Sequence, residues 1–404
     1  MGKIALAFFM MALPVFVIAD EADLFIHPAN GYDLTPAQSK VLEYLKSKEM
    51  NSKVTPVRVN RRAFASSQVK FNISSAVSMK VETTEYDTAG NTSTWMGDYA
   101  DSPDAASMVI RGSNVTGTIQ NKDSIYSIRP IGGGMHVIIE HDSQAFPEEH
   151  PPQFDNAEKS GENLKDIPGK EPVRGGGAGG ALDVNGIHEI YTLVAYTPLS
   201  KEITVDPVGL IQLAIDTTNK SYARGNIPVK LVLTDTVMVD YAESGDYETD
   251  LDRLSGNSDG YMDGIHGLRR DTKSDIVILI TNDGSYCGLA NAILANDSTA
   301  FALVHHGCAT ANYSFAHEVG HLQGARHNPE ADSTSTPFPY GHGIYFQDRK
   351  VRTIMSYDCP AGCMRIPYWS DPGQHAHGGP MGTPELHHDA RVLKETAPIL
   401  SGFY

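Results

Sequence analysis

Cysteine is scarce in this 404-residue chain: there are four, all beyond residue 286. Four are too few for a disulfide-built scaffold, and none is available in the first 286 residues to ligate a metal or carry a thiol switch. Basic residues are also short, 32 Lys and Arg against 49 Asp and Glu, a net charge of −17. That balance argues against a nucleic-acid binder, which needs a cationic face over the phosphates. After the first twenty residues no stretch approaches 18 consecutive apolar residues, so no internal segment reads as a membrane span. Hydrophobic residues at 41% and charged residues at 20% are ordinary for a globular chain.

One apolar run is present, at the start. Lys3 precedes Ile4 to Ile18, and Val17 and Ala19 are small residues at the −3 and −1 positions of a cleavage site. The run is too short to span a bilayer comfortably and contains Pro14, so residues 1–19 read as a secretory signal cleaved after Ala19. The expectation is therefore a secreted, extracellular protein, with periplasmic transit possible on the way and no membrane anchor in the mature form. Export would permit disulfides.

From residue 20 to 150 the pattern is short alternating runs, such as Val54–Val59, Val69–Ile73, Val77–Val81, Met108–Ile110, Ser124–Ile128 and Met135–Ile139, broken by turn-rich pieces. This predicts a mainly β domain, with one helix near Pro36–Met50. His136, His141 and His150 are scattered through it and read as structural histidines. Residues 151–186 are rich in Pro, Gly and polar residues and include Gly175-Gly176-Gly177-Ala178-Gly179-Gly180, which predicts a flexible linker carrying the maturation site.

Residues 187–404 change texture. Strands are expected at Ile187–Tyr196, Val229–Val239 and Asp275–Thr281, with a short edge strand at Ala300–Val304. Helices are expected at Asp206–Arg224, from Tyr313 to Gln323, and at His387–Thr396, giving an α/β or α+β domain with a mixed sheet.

The chemistry concentrates at His317-Glu318-Val319-Gly320-His321. Histidines at i and i+4 share one helix face and can hold one metal, which predicts zinc. Glu318, one position on, sits beside the metal and suits a general base acting on a water that the metal polarises. The motif runs on to Gly324 and His327: Gly324 lets the chain turn sharply so that His327 returns as a third ligand. In the segment Thr353-Ile354-Met355-Ser356-Tyr357, Met355 lies 28 residues after His327.

The extended zinc motif together with that Met-containing turn resembles the metzincin metallopeptidases. Cys308 to Glu318, Pro337 to Gly343, Arg352 to Cys359 and Ala390 to Pro398 narrow the resemblance to a reprolysin-like group, the bacterial peptidyl-Asp metalloendopeptidases. The likeness covers Ile187 to Tyr404, with a weaker one in the N-terminal part. It implies a metzincin-type catalytic domain with one catalytic Zn²⁺ on His317, His321 and His327 and an active-site helix, preceded by a mainly β propeptide (residues 20–150) that acts as inhibitor. It further implies Glu318 as general base, Met355 beneath the site, and Tyr357 as a metal ligand or a donor to the developing oxyanion. The substrates would be proteins or peptides, cut on the N-terminal side of Asp. Asn328 stands where disintegrin-type relatives usually carry Asp after the third histidine.

An Asp preference needs a cation in the substrate pocket, best a guanidinium. Arg365, in the segment after the Met-turn, is the leading candidate and Arg352 the second. Four cysteines allow three pairings. Cys359 and Cys363 are close enough for a tight loop, which would leave Cys287 and Cys308 to bridge the segment before the active helix. With no cysteine in the N-terminal part, any inhibitory ligand there must be Asp, Glu or His, unless the segment simply covers the cleft. Asn257 to Gly264 resembles part of a calcium loop but lacks the closing bidentate acid, so it reads as a turn and helix cap, with Ca²⁺ only weakly supported. His305, His306 and His342 read as structural. Two rival functions remain from the residues alone: a broad-specificity secreted protease, and a non-catalytic binding module that keeps zinc for structure.

Overall fold

The structure is a computed structural model that describes residues 22–28, 31–99, 102–121, 124–150 and 182–404. The expected signal segment and most of the Pro/Gly-rich stretch lie outside the described residues. Among those described, no helix is long and apolar enough to cross a membrane.

The N-terminal part is one ten-stranded sheet: β1 (Ala22–Asp23), β2 (Phe25–Ile26), β3 (Asn51–Val59), β4 (Gln68–Asn72), β5 (Ser78–Ala89), β6 (Thr92–Tyr99), β7 (Ser102–Arg111), β8 (Asn114–Asn121), β9 (Ser124–Gly132) and β10 (Met135–His141). From β4 to β10 neighbours in sequence are neighbours in space and antiparallel, and β3 closes onto β10. The expected alternation marks most of these strands. β6 and β8 were hidden by Thr, Ser and Gly: Gly117 is buried in β8 because a Cβ there would lie 2.0 Å from Met108 Sδ. Helix α1 (Pro36–Lys46) begins with Thr35 and Gln38 in a reciprocal capping box. The sheet's core is aromatic, with Trp95 packed against Phe64 and Phe71.

The C-terminal part is a five-stranded sheet flanked by helices, ordered β12-β11-β13-β15-β14. Here β11 is His188–Tyr196, β12 Val229–Met238, β13 Ile276–Thr281, β14 Gly288–Ala290 and β15 Phe301–His305. Four strands are parallel, and β14 runs antiparallel on one edge. The segment expected as an edge strand, Ala300–Val304, is thus internal; three-residue β14, too short to show a period, takes the edge. Strand β13 is apolar from Ile276 to Ile280 and buried along its whole length because both its faces are covered. Ile276, Ile278 and Ile280 face α3 (Pro207–Arg224), α6 (Ser314–Leu322) and α7 (Asp389–Leu400), while Val277 and Leu279 face α4 (Tyr247–Ser255) and α5 (Gly264–Thr272). The acidic turn before α5 spends its carboxylates on its own backbone. Asp263 accepts from Asp259 N and Gly260 N, and Asp259 from Tyr261 N, so it is a turn whose Asp263 side chain does not cap the helix.

The two parts pack against each other through side chains of both. Thr94 donates to Asp216 at 2.9 Å and Lys220 to Asp98 at 2.8 Å. Gln120 donates to Arg365 O and accepts from Tyr313 OH, while Thr118 and Arg129 both reach Thr310. A shared apolar cluster joins Met50, Ile125 and Phe146 to Cys287, Cys308, Met364 and Ile366. That cluster includes Cys308 and Ala311, on the segment leading into α6, so the N-terminal part packs beside that helix.

Candidate active site

Helix α6 is buried on every side, an unusual setting for two histidines and a glutamate. Gly324, at φ +104°, ends it, with its N–H on His321 O and the N–H of Ala325 on Gly320 O. The reversal carries the chain into a loop held by a buried Arg326–Asp332 ion pair at 2.6 Å and by His342 Nδ1 on His327 O at 2.7 Å. His327 is thereby brought back to α6.

The three Nε2 atoms of His317, His321 and His327 form a triangle with edges of 3.1, 3.0 and 2.9 Å. His317 directs Nδ1 at Ile354 O (2.8 Å) and His321 directs Nδ1 at Ala325 O (2.9 Å). These carbonyls need a proton on Nδ1, which leaves the Nε2 lone pair facing the triangle. Burial, followed by the neighbouring positive groups, pushes all three imidazoles well below their ordinary pKa, so they are neutral donors. Tetrahedral zinc–imidazole geometry places such nitrogens about 3.3 Å apart. Three converging neutral nitrogens, all fully buried, are therefore a donor set that a divalent metal fits.

Glu318 is fully buried beside this triangle, with room made by Gly288 on the edge strand, where a Cβ would lie 2.3 Å from Glu318 Oε1. Beneath the helix, Met355 and Trp369 fill the space over Gly320, whose added Cβ would lie 2.5 Å from Met355 Sδ and 2.9 Å from Trp369 Cζ3. Trp369 is stacked on Tyr222 at 5.5 Å and donates to Ser221 Oγ, which fixes the floor. Gly320→Ala should overpack this contact, costing about 1–3 kcal/mol; a thermal melt of the variant should fall by several degrees. An unchanged Tm would mean that Met355 and Trp369 can move aside.

Tyr357 lies over the site, its ring 4.3 Å from that of His327. Its backbone N–H donates to Asn328 Oδ1 at 2.8 Å, so Asn328 ties the third-histidine loop to the Met-turn with an amide in place of a carboxylate. The disulfides are Cys287–Cys308 and Cys359–Cys363, the pairing expected. The first fastens β14 to the segment leading into α6; the second closes a loop beyond Tyr357.

The two arginines separate clearly. Arg352 is fully buried and gives its donors to Cys363 O, Ser356 O and Asn312 Oδ1; burial lowers its pKa to about 9. It braces the wall. Arg365 reaches into the cleft and pairs with the Glu149 carboxylate, while also donating to Asn312 O and Ser356 O. His305 and His306 are buried and held neutral by burial, the latter against Asn282; they take no part in the triangle.

The N-terminal histidines divide too. His136 accepts from Val115 N and His141 bonds Ser127 Oγ, both structural as expected. His150 departs from that reading. It is fully buried, with its ring 5.3 Å from that of His321 and 5.4 Å from that of His327. Nothing local in the sequence signals this, because the contact spans some 170 residues.

A helix-borne histidine pair, a returning third histidine and an adjacent buried carboxylate define a metal-dependent hydrolase. Residues 206–370 match the Reprolysin_5 model of metallopeptidase family M12. The peptidyl-Asp metalloendopeptidase of Xanthomonas campestris pv. campestris is 38% identical over 302 residues, 74% of this chain and 70% of that one. The protein of the same name from Stenotrophomonas maltophilia is 34% identical over 417 residues, covering 98% of this chain and 97% of the relative. The Pseudomonas fragi protein of that name is 34% identical over 187 residues, 46% of this chain and 99% of its own length. The chain belongs to this family of zinc metalloendopeptidases.

Proposed function

We propose that the chain is made as an exported precursor whose catalytic part, residues 187–404, cleaves peptide bonds on the N-terminal side of Asp. In this reading residues 1–19 are the signal, 20–150 an inhibitory prosegment and 151–186 the linker in which maturation occurs. His317, His321 and His327 hold the zinc. Zinc bound there supplies Lewis-acid polarisation of a carbonyl and lowers the pKa of a water.

The remaining work falls to the chain's own groups. Glu318 accepts the water's proton as it attacks the scissile carbonyl and passes it to the leaving amine. The Tyr357 hydroxyl donates to the carbonyl oxygen as charge builds on it. Arg365 receives the substrate's Asp side chain.

The observation that carries the Asp preference is the carboxylate in the cleft. Glu149 Oε1 is held by Arg365, by Asn312 Nδ2 at 3.2 Å and by Ser314 Oγ at 3.4 Å. A buried cation with two polar donors around one carboxylate oxygen is a pocket for an acidic side chain. The names of the relatives point the same way. Sequencing the fragments of a denatured protein digested by the mature enzyme tests it. New N-termini should be predominantly Asp, and chelator should abolish cutting. Cuts without regard to Asp would instead favour a broad-specificity protease.

A further inference from the structure

We propose that His150 is the latency ligand of this enzyme: in the uncleaved chain it completes the zinc coordination as a fourth imidazole. The proposal rests on the zinc-site reading above and assigns the residue by which the N-terminal part silences it.

Observations on its ring and on its flanking residues converge on the segment Glu148-Glu149-His150. One ring nitrogen of His150 and one each of His321 and His327 all lie within 4.8 Å of one another. Its ring centroid is 5.3–5.4 Å from theirs, close to the 4.6–5.1 Å that separates the three α6-loop histidines from one another. Its Nε2 is 3.9 Å from Glu318 Oε2, too long for a hydrogen bond. The imidazole thus stands close to both the general base and the ligand nitrogens, the neighbourhood an attacking water must enter. His150 and Glu318 are both fully buried in the uncleaved chain, so neither faces bulk solvent.

The flanking contacts are those of a bound peptide. Glu148 O accepts from Cys287 N, next to edge strand β14, at 3.0 Å. Glu149 sits on Arg365, and the Tyr357 hydroxyl donates to His150 O. One tripeptide therefore occupies the edge strand, the acidic pocket, the oxyanion donor and the fourth metal corner together. A plain core histidine would not bring an acid for Arg365 with it.

The device is intramolecular, so it works at the high effective concentration of a tethered ligand. A cut within residues 151–186 removes the tether and leaves the packed Met50–Ile125–Phe146 contacts to dissociate. Activation is then complete only when the segment ending at His150 leaves.

The test uses the full-length precursor loaded with Co²⁺ in place of zinc. X-ray absorption and the visible spectrum should report four nitrogen donors in the wild type, and three nitrogens plus one oxygen in His150→Ala. His150→Cys guards against a variant that merely misfolds: it should show a new sulfur-to-cobalt charge-transfer band and a Co–S scattering path, which arise only if residue 150 touches the metal. A wild-type precursor with three nitrogens and one oxygen, or His150→Cys without a Co–S path, overturns the assignment of His150 while leaving the zinc site standing. Failure of every form to bind one cobalt per chain would overturn the zinc-site reading itself.

Discussion

Replacing Glu318 with alanine leaves one zinc per chain in the mature enzyme and lowers kcat by about 10²–10⁴-fold, the usual yield of a positioned general base. The two halves of that expectation come from different contacts. The metal should stay because its three nitrogens are aimed by groups that Glu318 does not touch: Ile354 O behind His317, Ala325 O behind His321, and the His342-braced loop behind His327. The rate should fall because Glu318 is fully buried, with a carboxylate oxygen within 4.8 Å of a His317 ring nitrogen, in a gap kept open by Gly288. Metal content measured beside peptide hydrolysis separates the two. Near-normal turnover would refute the general-base role, and loss of zinc together with activity would mean that Glu318 holds the metal.

Much of this site was legible before any coordinates, because its spacing is local. Two histidines one helical turn apart, a glycine that reverses the chain and a third histidine all lie within His317 to His327, where helix geometry alone decides what faces what. The floor under Met355 and the wall at Arg365 needed the family likeness. The role of Gly320 was not legible at all: it depends on Met355 and Trp369, which arrive from elsewhere in the chain. The same holds for β14, whose three residues show no period, and for Glu149 and His150, which reach the cleft only because a ten-stranded sheet docks beside it. Sequence patterns report neighbours along an element; they are silent on which distant segment fills a groove.

Arg365→Ala should abolish selection for Asp while sparing slower, indiscriminate cutting. The charge distribution makes this arginine matter. Residues 187–404 carry 15 basic and 26 acidic residues, a net −11, so the general field of the catalytic part repels acidic peptides. Attraction must be local, and Arg365 is the guanidinium hydrogen-bonded to the Glu149 carboxylate, whereas Arg352 gives its donors to backbone carbonyls and Asn312 and approaches a carboxylate, Asp358, only at 4.0 Å. Truncating one member of a buried, hydrogen-bonded charge pair costs about 2–5 kcal/mol, so kcat/KM for Asp-containing peptides should drop about 30-fold to several thousand-fold. Peptides with a neutral residue at that position gain nothing from the guanidinium and should change little, which distinguishes a lost pocket from a damaged enzyme. Arg365→Lys keeps the charge but loses the planar fork, so it should fall between the two. The same substitution removes the partner of Glu149, so in the proposed precursor the segment ending at His150 should be held less tightly. An Arg365→Ala enzyme that still cuts before Asp with undiminished preference would place the acid-recognising cation elsewhere in the cleft.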